Sequence, residues 1–253
     1  MRPLLTVVKV GGNEVEDAHW VRELAHALRS CRPLIVVHGG GREVTALQAV
    51  FGLQPEWREG LRVSSTETVR AASMVLTGVV NKRLVAALVS ADVDALGLSG
   101  EDAALVSARP ARGGTLGRTG EPVTVRADLL RALVALGLVP VISPISRGAD
   151  GEPLNVNADA VAGAIAAAVL AERLLVVTNV GGVSIGGVAV DELADEEAEL
   201  AIASGAIAGG MTPKVRAALH ASAAGVPDVR IGGLDVLSSG RGTRVVARTG
   251  ALA

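Results

Sequence analysis

Lysine is scarce in this chain. Among its 253 residues only Lys9, Lys82 and Lys214 are lysines, against twenty-one arginines. Tyrosine is absent, phenylalanine occurs once and tryptophan twice, too few rings to stack nucleic-acid bases. A formal net charge of −2 argues against the basic surface that a nucleic-acid backbone demands. One cysteine, Cys31, allows no internal disulfide and no zinc cluster, which fits a reducing cytoplasm. No apolar segment reads as both long and continuous enough for a membrane span. The richest stretch, Ala158 to Leu170, holds Asp159 and runs into Ala171-Glu172-Arg173, as a buried core helix would. The opening MRPLLTVVKVGG has no small-residue cleavage site after its short apolar run, so it reads as a first strand and not as a signal peptide. The class left standing is a cytoplasmic small-molecule enzyme, with no nucleic-acid or membrane partner.

What is present is a rich supply of core. Apolar residues make up 49% and charged residues 20%, which excludes a disordered chain. Strand-like runs at Leu4–Val10, Pro33–Val37, Val93–Leu98, Val139–Ser143, Leu174–Thr178 and Val229–Ile231 alternate with helical spacing. The helical segments are Asp17–Ser30, Arg42–Phe51, Thr66–Ser90, Ala127–Leu136, Asp159–Leu170 and one starting at Pro213 as its first residue. The long one is expected to bury Val69, Met74, Val75, Val79, Leu84 and Leu88; Cys31 and Met74 read as core. Leu105–Val125 reads as a hairpin excursion, Val183–Val190 as a hairpin about Gly186-Gly187, and Thr243–Val246 as a terminal strand. Repeated β-α-β order with continuous apolar strands predicts an α/β fold, a three-layer α-β-α sandwich on a mainly parallel sheet. A boundary near Ala171–Leu174 would divide it into lobes 1–172 and 173–253. Ligands of such folds lie beyond the carboxyl ends of the strands, and there the glycine turns fall.

VVKVGG puts Lys9 just before Gly11 and Gly12 at a strand end. It matches neither GxxxxGK[ST] nor GxGxxG, and reads as a phosphate-facing mouth or a plain strand-to-helix turn. VVHGGGREV is stronger. Three successive glycines, Gly39 to Gly41, cost backbone entropy and make sense where N–H groups must approach negative oxygens at a helix start. His38 beside them reads as a turn residue bonded to backbone, with a catalytic role as the alternative. Arg62, in EGLRVSS, is a carboxylate clamp or one surface arginine among many. In NVNADA, Asn155 and Asn157 point to one side and Asp159 falls in a helix's first turn. Capping alone explains this; so does a carboxylate that holds two ammoniums. GGMTPKV aims Lys214 at the anion-attracting end of its own helix. Where arginine has replaced lysine almost throughout, the survivors suggest sites needing a compact ammonium.

In this order VVKVGG, HGGG, GLRVS, NVNADA, TNVGGV and GGMTPKV, spread from Leu4 to Val246, resemble the amino acid kinase family, and within it the acetylglutamate kinases. The resemblance implies ATP-dependent phosphorylation of the γ-carboxylate of N-acetyl-L-glutamate, a step of arginine biosynthesis. Lys9 and Lys214 would stabilise charge on the transferring phosphoryl group and Asp159 would organise both. Gly11 and Gly12 would meet the β/γ-phosphates, while Gly39 and Gly40 would hold the substrate carboxylate and γ-phosphoryl oxygens. Arg62 would bind the α-carboxylate, with Asn155 and Asn157 also at the substrate. Thr178, Asn179, Val180, Gly181, Gly182 and Val183, with Ala208, Gly209 and Gly210, would line the nucleotide site. Mg²⁺ would ride on the ATP phosphates, with no metal site in the protein itself. Asn179 stands where many such kinases carry aspartate, and Ser64 where threonine is usual. The resemblance further implies a homodimer. Arginine-inhibited members carry an added N-terminal helix that links dimers into hexamers, and a chain opening at its first strand is expected to escape that feedback. Two alternatives remain. VVNKRLV and LSGED look like the sister kinases that act on a carrier-protein-linked 2-aminoadipate or glutamate, and a non-catalytic nucleotide- or amino-acid-binding regulatory module would keep the fold without turnover.

Overall fold

The computed structural model describes residues 4–12 and 14–248. The strands are β1 (Thr6–Val10), β2 (Leu34–His38), β3 (Glu56–Arg58), β4 (Leu61–Val63), β5 (Ala95–Gly100), β6 (Val106–Pro110), β7 (Thr119–Val125), β8 (Val139–Gly148), β9 (Pro153–Val156), β10 (Arg173–Val177), β11 (Ser184–Ile185), β12 (Val188–Ala189), β13 (Glu192–Ala194), β14 (Asp228–Gly232) and β15 (Thr243–Val246). The helices are α1 (Ala18–Leu28), α2 (Gly41–Val50), α3 (Thr66–Ser73), α4 (Asn81–Val89), α5 (Ala127–Ala135), α6 (Ala158–Ala168), α7 (Asp195–Ala203), α8 (Met211–Ala223) and α9 (Val236–Ser239). Eleven strands form one sheet in the order β13-β15-β14-β10-β1-β2-β8-β6-β7-β9, with β5 also on β8. Pairing is parallel through its centre, from β14 to β8, and antiparallel at β6–β7, β8–β9 and β14–β15. The mainly parallel sandwich read from the sequence is what forms.

Both faces of the sheet are covered, and strand parity decides what each residue meets. Val7, Ile35, Val37, Leu174 and Val176 join the core under α5, α6, α7 and α8. Val8, Val10, Val36, Leu175 and Val177 join the one under α1 to α4 and α9. Alternation along a strand therefore sends Lys9 toward α6 and α8, and His38 toward α4. The functional layout follows from that odd–even count.

The segment Thr66–Val89 is a single 24-residue helix with a π-helical middle at Met74–Val80. Met74 and Val79 are 44% and 49% exposed, against their expected burial. The i→i+5 pattern of a π turn rotates the apolar stripe away from the 3.6-residue spacing, so Val75, Leu76 and Val80 take the inner positions. By length and composition alone this helix could cross a bilayer, contrary to the sequence reading of no such segment. Its inner face lies in the α1–α4 core and Asn81, Lys82 and Arg83 interrupt its apolar run. The hairpins expected at 105–125 and 183–190 form as β6–β7 and β11–β12, the latter with Gly186 and Gly187 at positive φ. Strand β3, which pairs with β4 and has its three residues exposed, carries no apolar alternation and went unread. So did β13 and α7.

Candidate active site

Strand ends converge on one open-mouthed cavity of about 440 Å³. Lys9 is 3% exposed on β1, and its Nζ lies 2.8 Å from Asp159 Oδ1. Asp159 is held at the start of α6, where Asn157 Oδ1 accepts from the N–H groups of Asp159 and Ala160 at 2.8 and 3.2 Å. The N-cap and the ion pair are thus one device. Lys214, on α8, donates to the Gly210 carbonyl at 3.0 Å. Burial pushes its pKa below the ordinary lysine value and the charge of Lys9 adds to this, while Asp159 and Glu14 oppose it. The helix starts at Met211, so Pro213 is its third residue and not its first. Proline is tolerated there because a first-turn N–H has no intrahelical partner.

The two glycine turns meet backbone to backbone. A Cβ on Gly12 would stand 2.5 Å from Gly40 N and 3.0 Å from Gly41 N. Gly11 N–H donates to Val177 O at 3.1 Å and Gly39 N–H to Val10 O at 3.2 Å, so these two amides close the sheet. Among the described residues the N–H groups of Gly12, Gly40 and Gly41 have no acceptor. They are the donors available to anionic oxygens, sharper than the four glycines read from sequence.

Arg62 is 6% exposed, at the edge of the same cavity. Its Nη2 donates to Gly41 O at 2.9 Å and Thr45 Oγ1 at 2.8 Å, its Nη1 to Gln48 Oε1, and its guanidinium lies 4.3 Å from the Trp57 ring centroid. Of five guanidinium hydrogens, three are engaged by α2 and two remain for a ligand. Asn155 Nδ2 donates to Ser64 Oγ at 3.0 Å, which ties β9 to the Arg62 strand.

Thr178, Asn179, Val180 and Gly210 line the cavity together with the lysines, glycines and asparagines already named. Gly181, Gly182, Ala208 and Gly209 do not. Val183 is fully buried, with its N–H bound to Thr243 Oγ1 at 2.8 Å; it is a core residue and not a lining one, as the apolar residue leading into β11 must be. Sequence reasoning missed Glu14, Trp57 and Pro144, which also line the cavity. Glu14 falls beside the read glycines, where its proximity to Gly11 was the available signal. Trp57 and Pro144 carried none. His38 is fully buried outside the cavity lining, and burial pushes its pKa down to about 4, so it is no proton carrier near neutrality. A second cavity of about 520 Å³ lies beyond Leu61, Asn157 and Pro213. Its arginines are already paired, Arg109 with Glu121, Arg112 with Glu59 and Arg216 with Glu199.

Two ammoniums, free backbone N–H groups and a carboxylate brace suit the transfer of a group carrying several negative oxygens. Comparison with known proteins agrees. Residues 5–233 match the model of the amino acid kinase family. The chain is 48% identical to an acetylglutamate kinase of Roseiflexus sp. (strain RS-1), over 97% of this chain and 94% of that one. It is 42% identical to an acetylglutamate kinase of Methanopyrus kandleri, over 95% and 100%. Among solved structures, a carbamate kinase from Giardia lamblia bound to AMP-PNP superposes with a TM-score of 0.74 at 16% identity, covering 97% and 99% of the two chains; at that identity it speaks for the fold.

Proposed function

The chain belongs to the amino acid kinase family, and from that premise we infer that it phosphorylates the γ-carboxylate of N-acetyl-L-glutamate with ATP, in amino-acid biosynthesis leading to arginine. The observation that carries the reading is the Lys9–Asp159 pair, 2.8 Å apart, which lines one cavity together with Gly12, Gly40 and Gly41, whose N–H groups are unengaged among the described residues, and with Lys214.

A carboxylate is already a nucleophile at neutral pH, so the reaction needs no general base. One γ-carboxylate oxygen attacks the γ-phosphorus, the bond from phosphorus to the β,γ-bridging oxygen breaks, and ADP leaves with the bond's electron pair. The obstacle is the approach of two anions, and positioning with fixed positive charge removes it. In this reading Lys9 and Lys214 meet the transferring oxygens, and Asp159 keeps the two ammoniums apart in orientation while lessening their repulsion. Gly12, Gly40 and Gly41 donate to phosphoryl and carboxylate oxygens. Arg62 receives the α-carboxylate with its two remaining hydrogens. Thr178, Asn179, Val180 and Gly210 take the nucleotide.

Among the described residues no three metal-ligating side chains cluster, so Mg²⁺ fits as an ion carried by the phosphates and water. Glu14 is the cavity carboxylate not paired to a lysine at contact distance, and would accept from a water of that ion. When bound, the ion neutralises phosphate charge.

The proposed assembly is a cytoplasmic homodimer. An apolar surface supports the dimer: Met74, Val79 and Val89 are exposed along one helix and Leu96 on β5, a strand that among the described residues pairs with β8 alone. The proposed lobes divide near Ala171–Leu174. Coupled ADP release on N-acetyl-L-glutamate, free glutamate and free 2-aminoadipate tests the function. ADP release on the acetylated substrate alone supports it. Nucleotide binding with no turnover on any would favour a carrier-linked substrate or a non-catalytic module.

A further inference from the structure

The third lysine and the histidine of the glycine turn take no part in the transfer above, yet hydrogen bonds join them to the cavity's backbone. His38 ends β2 on the α4 side and is fully buried. Asn81, equally buried, donates one Nδ2 hydrogen to Val141 O at 2.8 Å and shares the other between His38 Nε2 at 3.1 Å and the more distant Leu98 O at 3.3 Å. Two carbonyls identify that end of the amide as the NH₂. At the other end Lys82 Nζ donates to Asn81 Oδ1 at 3.2 Å, and to Gly97 O at 3.4 Å. A Cβ on Gly97 would stand 2.1 Å from Asn81 Oδ1 and 2.7 Å from Lys82 Nζ, so glycine at this place in β5 makes room for the chain.

Against an NH₂ group, His38 Nε2 can only accept, and the ring's proton belongs on Nδ1, 3.0 Å from Gly39 O. That carbonyl shares a planar peptide unit with Gly40 N–H. Fixing the carbonyl on the core side therefore fixes the opposed N–H toward the cavity. We propose that Asn81, oriented by Lys82, holds His38 as the neutral Nδ1–H tautomer, and that His38 is a positioning residue which aims the Gly40 N–H at the reacting oxygens. Burial, with the charges of Lys82 on α4 and Lys9 on β1, also opposes an imidazolium here. The kinetic consequence rests on the transfer reading above; the tautomer does not.

Long-range ¹H–¹⁵N spectra of the histidine-labelled protein read the tautomer directly, with His38 assigned by its loss in His38→Asn. A protonated Nδ1 and bare Nε2, unchanged from about pH 5 to 8, is the expected result. An Nε2–H tautomer, or a ring that titrates in that window, overturns the proposal. His38→Asn offers an amide donor near the Nδ1 position and should keep kcat within about tenfold, whereas His38→Ala should lose about a hundredfold or more with little change in KM. Equal losses in the two variants would refute action through the Gly39 bond. Asn81→Asp places a carboxylate on Nε2, favours the imidazolium, and should give kcat a pH dependence across that window which the parent lacks; an unchanged profile refutes the role of Asn81. Should the parent turn over none of the three amino acids, the transfer reading fails while the spectra still decide the tautomer.

Discussion

Replacing Asp159 by asparagine probes how the two ammoniums of the cavity are held. Lys9 and Asp159 sit 2.8 Å apart with side-chain exposures of 4% and 5%. Removing one partner of a buried pair strands the other charge and costs about 3–5 kcal/mol. Lys9 also faces a cavity open to water, which places the expected cost at the low end, about 3 kcal/mol. For a chain of this size each kcal/mol shifts the melting temperature by about 2–4 °C, so Asp159→Asn should melt about 6–12 °C below the parent. Turnover should suffer more, because Lys9 and Lys214 then repel each other without a brace. Loss of one preorganised charge-stabilising element is worth about 10²–10³ in kcat. A double-mutant cycle with Lys9→Met, read by thermal and urea denaturation, isolates the pair. Removing both partners strands no charge, so the double variant should be more stable than the two single costs added together, with a coupling of about 2–3 kcal/mol. A coupling below about 0.5 kcal/mol, or an Asp159→Asn variant with parental kcat, would refute the bracing role.

Other outcomes follow from the same geometry. Lys214→Ala should lower kcat by about 10²-fold or more with a modest change in KM, and near-normal kcat would show that it only positions ligand. Since the pKa of Lys214 lies below the ordinary 10.5, its ammonium is lost on raising pH through a lower value than usual. The kcat/KM of the free enzyme should therefore fall on an alkaline limb that begins below pH 10.5, and a flat profile to that pH would contradict the assignment. Arg62→Lys keeps the charge but not the fork that grips Gly41 and Thr45; it should raise KM for the amino acid far more than KM for ATP, and an unchanged KM would remove its role. Gly12→Ala forces a Cβ to 2.5 Å from backbone nitrogen, which no rotamer relieves, so phosphate-dependent turnover should collapse while the sheet still forms by circular dichroism. Val79→Asp with Leu96→Asp should convert a dimer to monomers in sedimentation, and an unchanged mass would place the interface elsewhere.

The lines of this molecule most legible in the sequence are those written by backbone demands. Glycine pairs at strand ends, an asparagine before a helix and the continuous apolar strands each have a local physical cause, and they set out both the sheet and the mouth of the cavity. What escaped was written by partners distant in the chain. Trp57 lies in an exposed three-residue strand and gains its place by stacking on Arg62, which no periodicity announces. Met74 and Val79 were misjudged because a π-helical stretch breaks the spacing on which a stripe is counted. Which glycine amides are free depends on whether Val177 and Val10 accept from their neighbours, a matter of sheet order. The odd–even parity of β1 and β2, by contrast, could have been read in advance: it sends Lys9 to Asp159 and His38 to Asn81.

The most direct measurement is the acyl phosphate itself. Incubating the protein with ATP, Mg²⁺, N-acetyl-L-glutamate and hydroxylamine should give the γ-hydroxamate at a rate equal to ADP release, and Lys9→Met should abolish both. ADP release without hydroxamate, or hydroxamate formed equally well from free glutamate, would contradict the account.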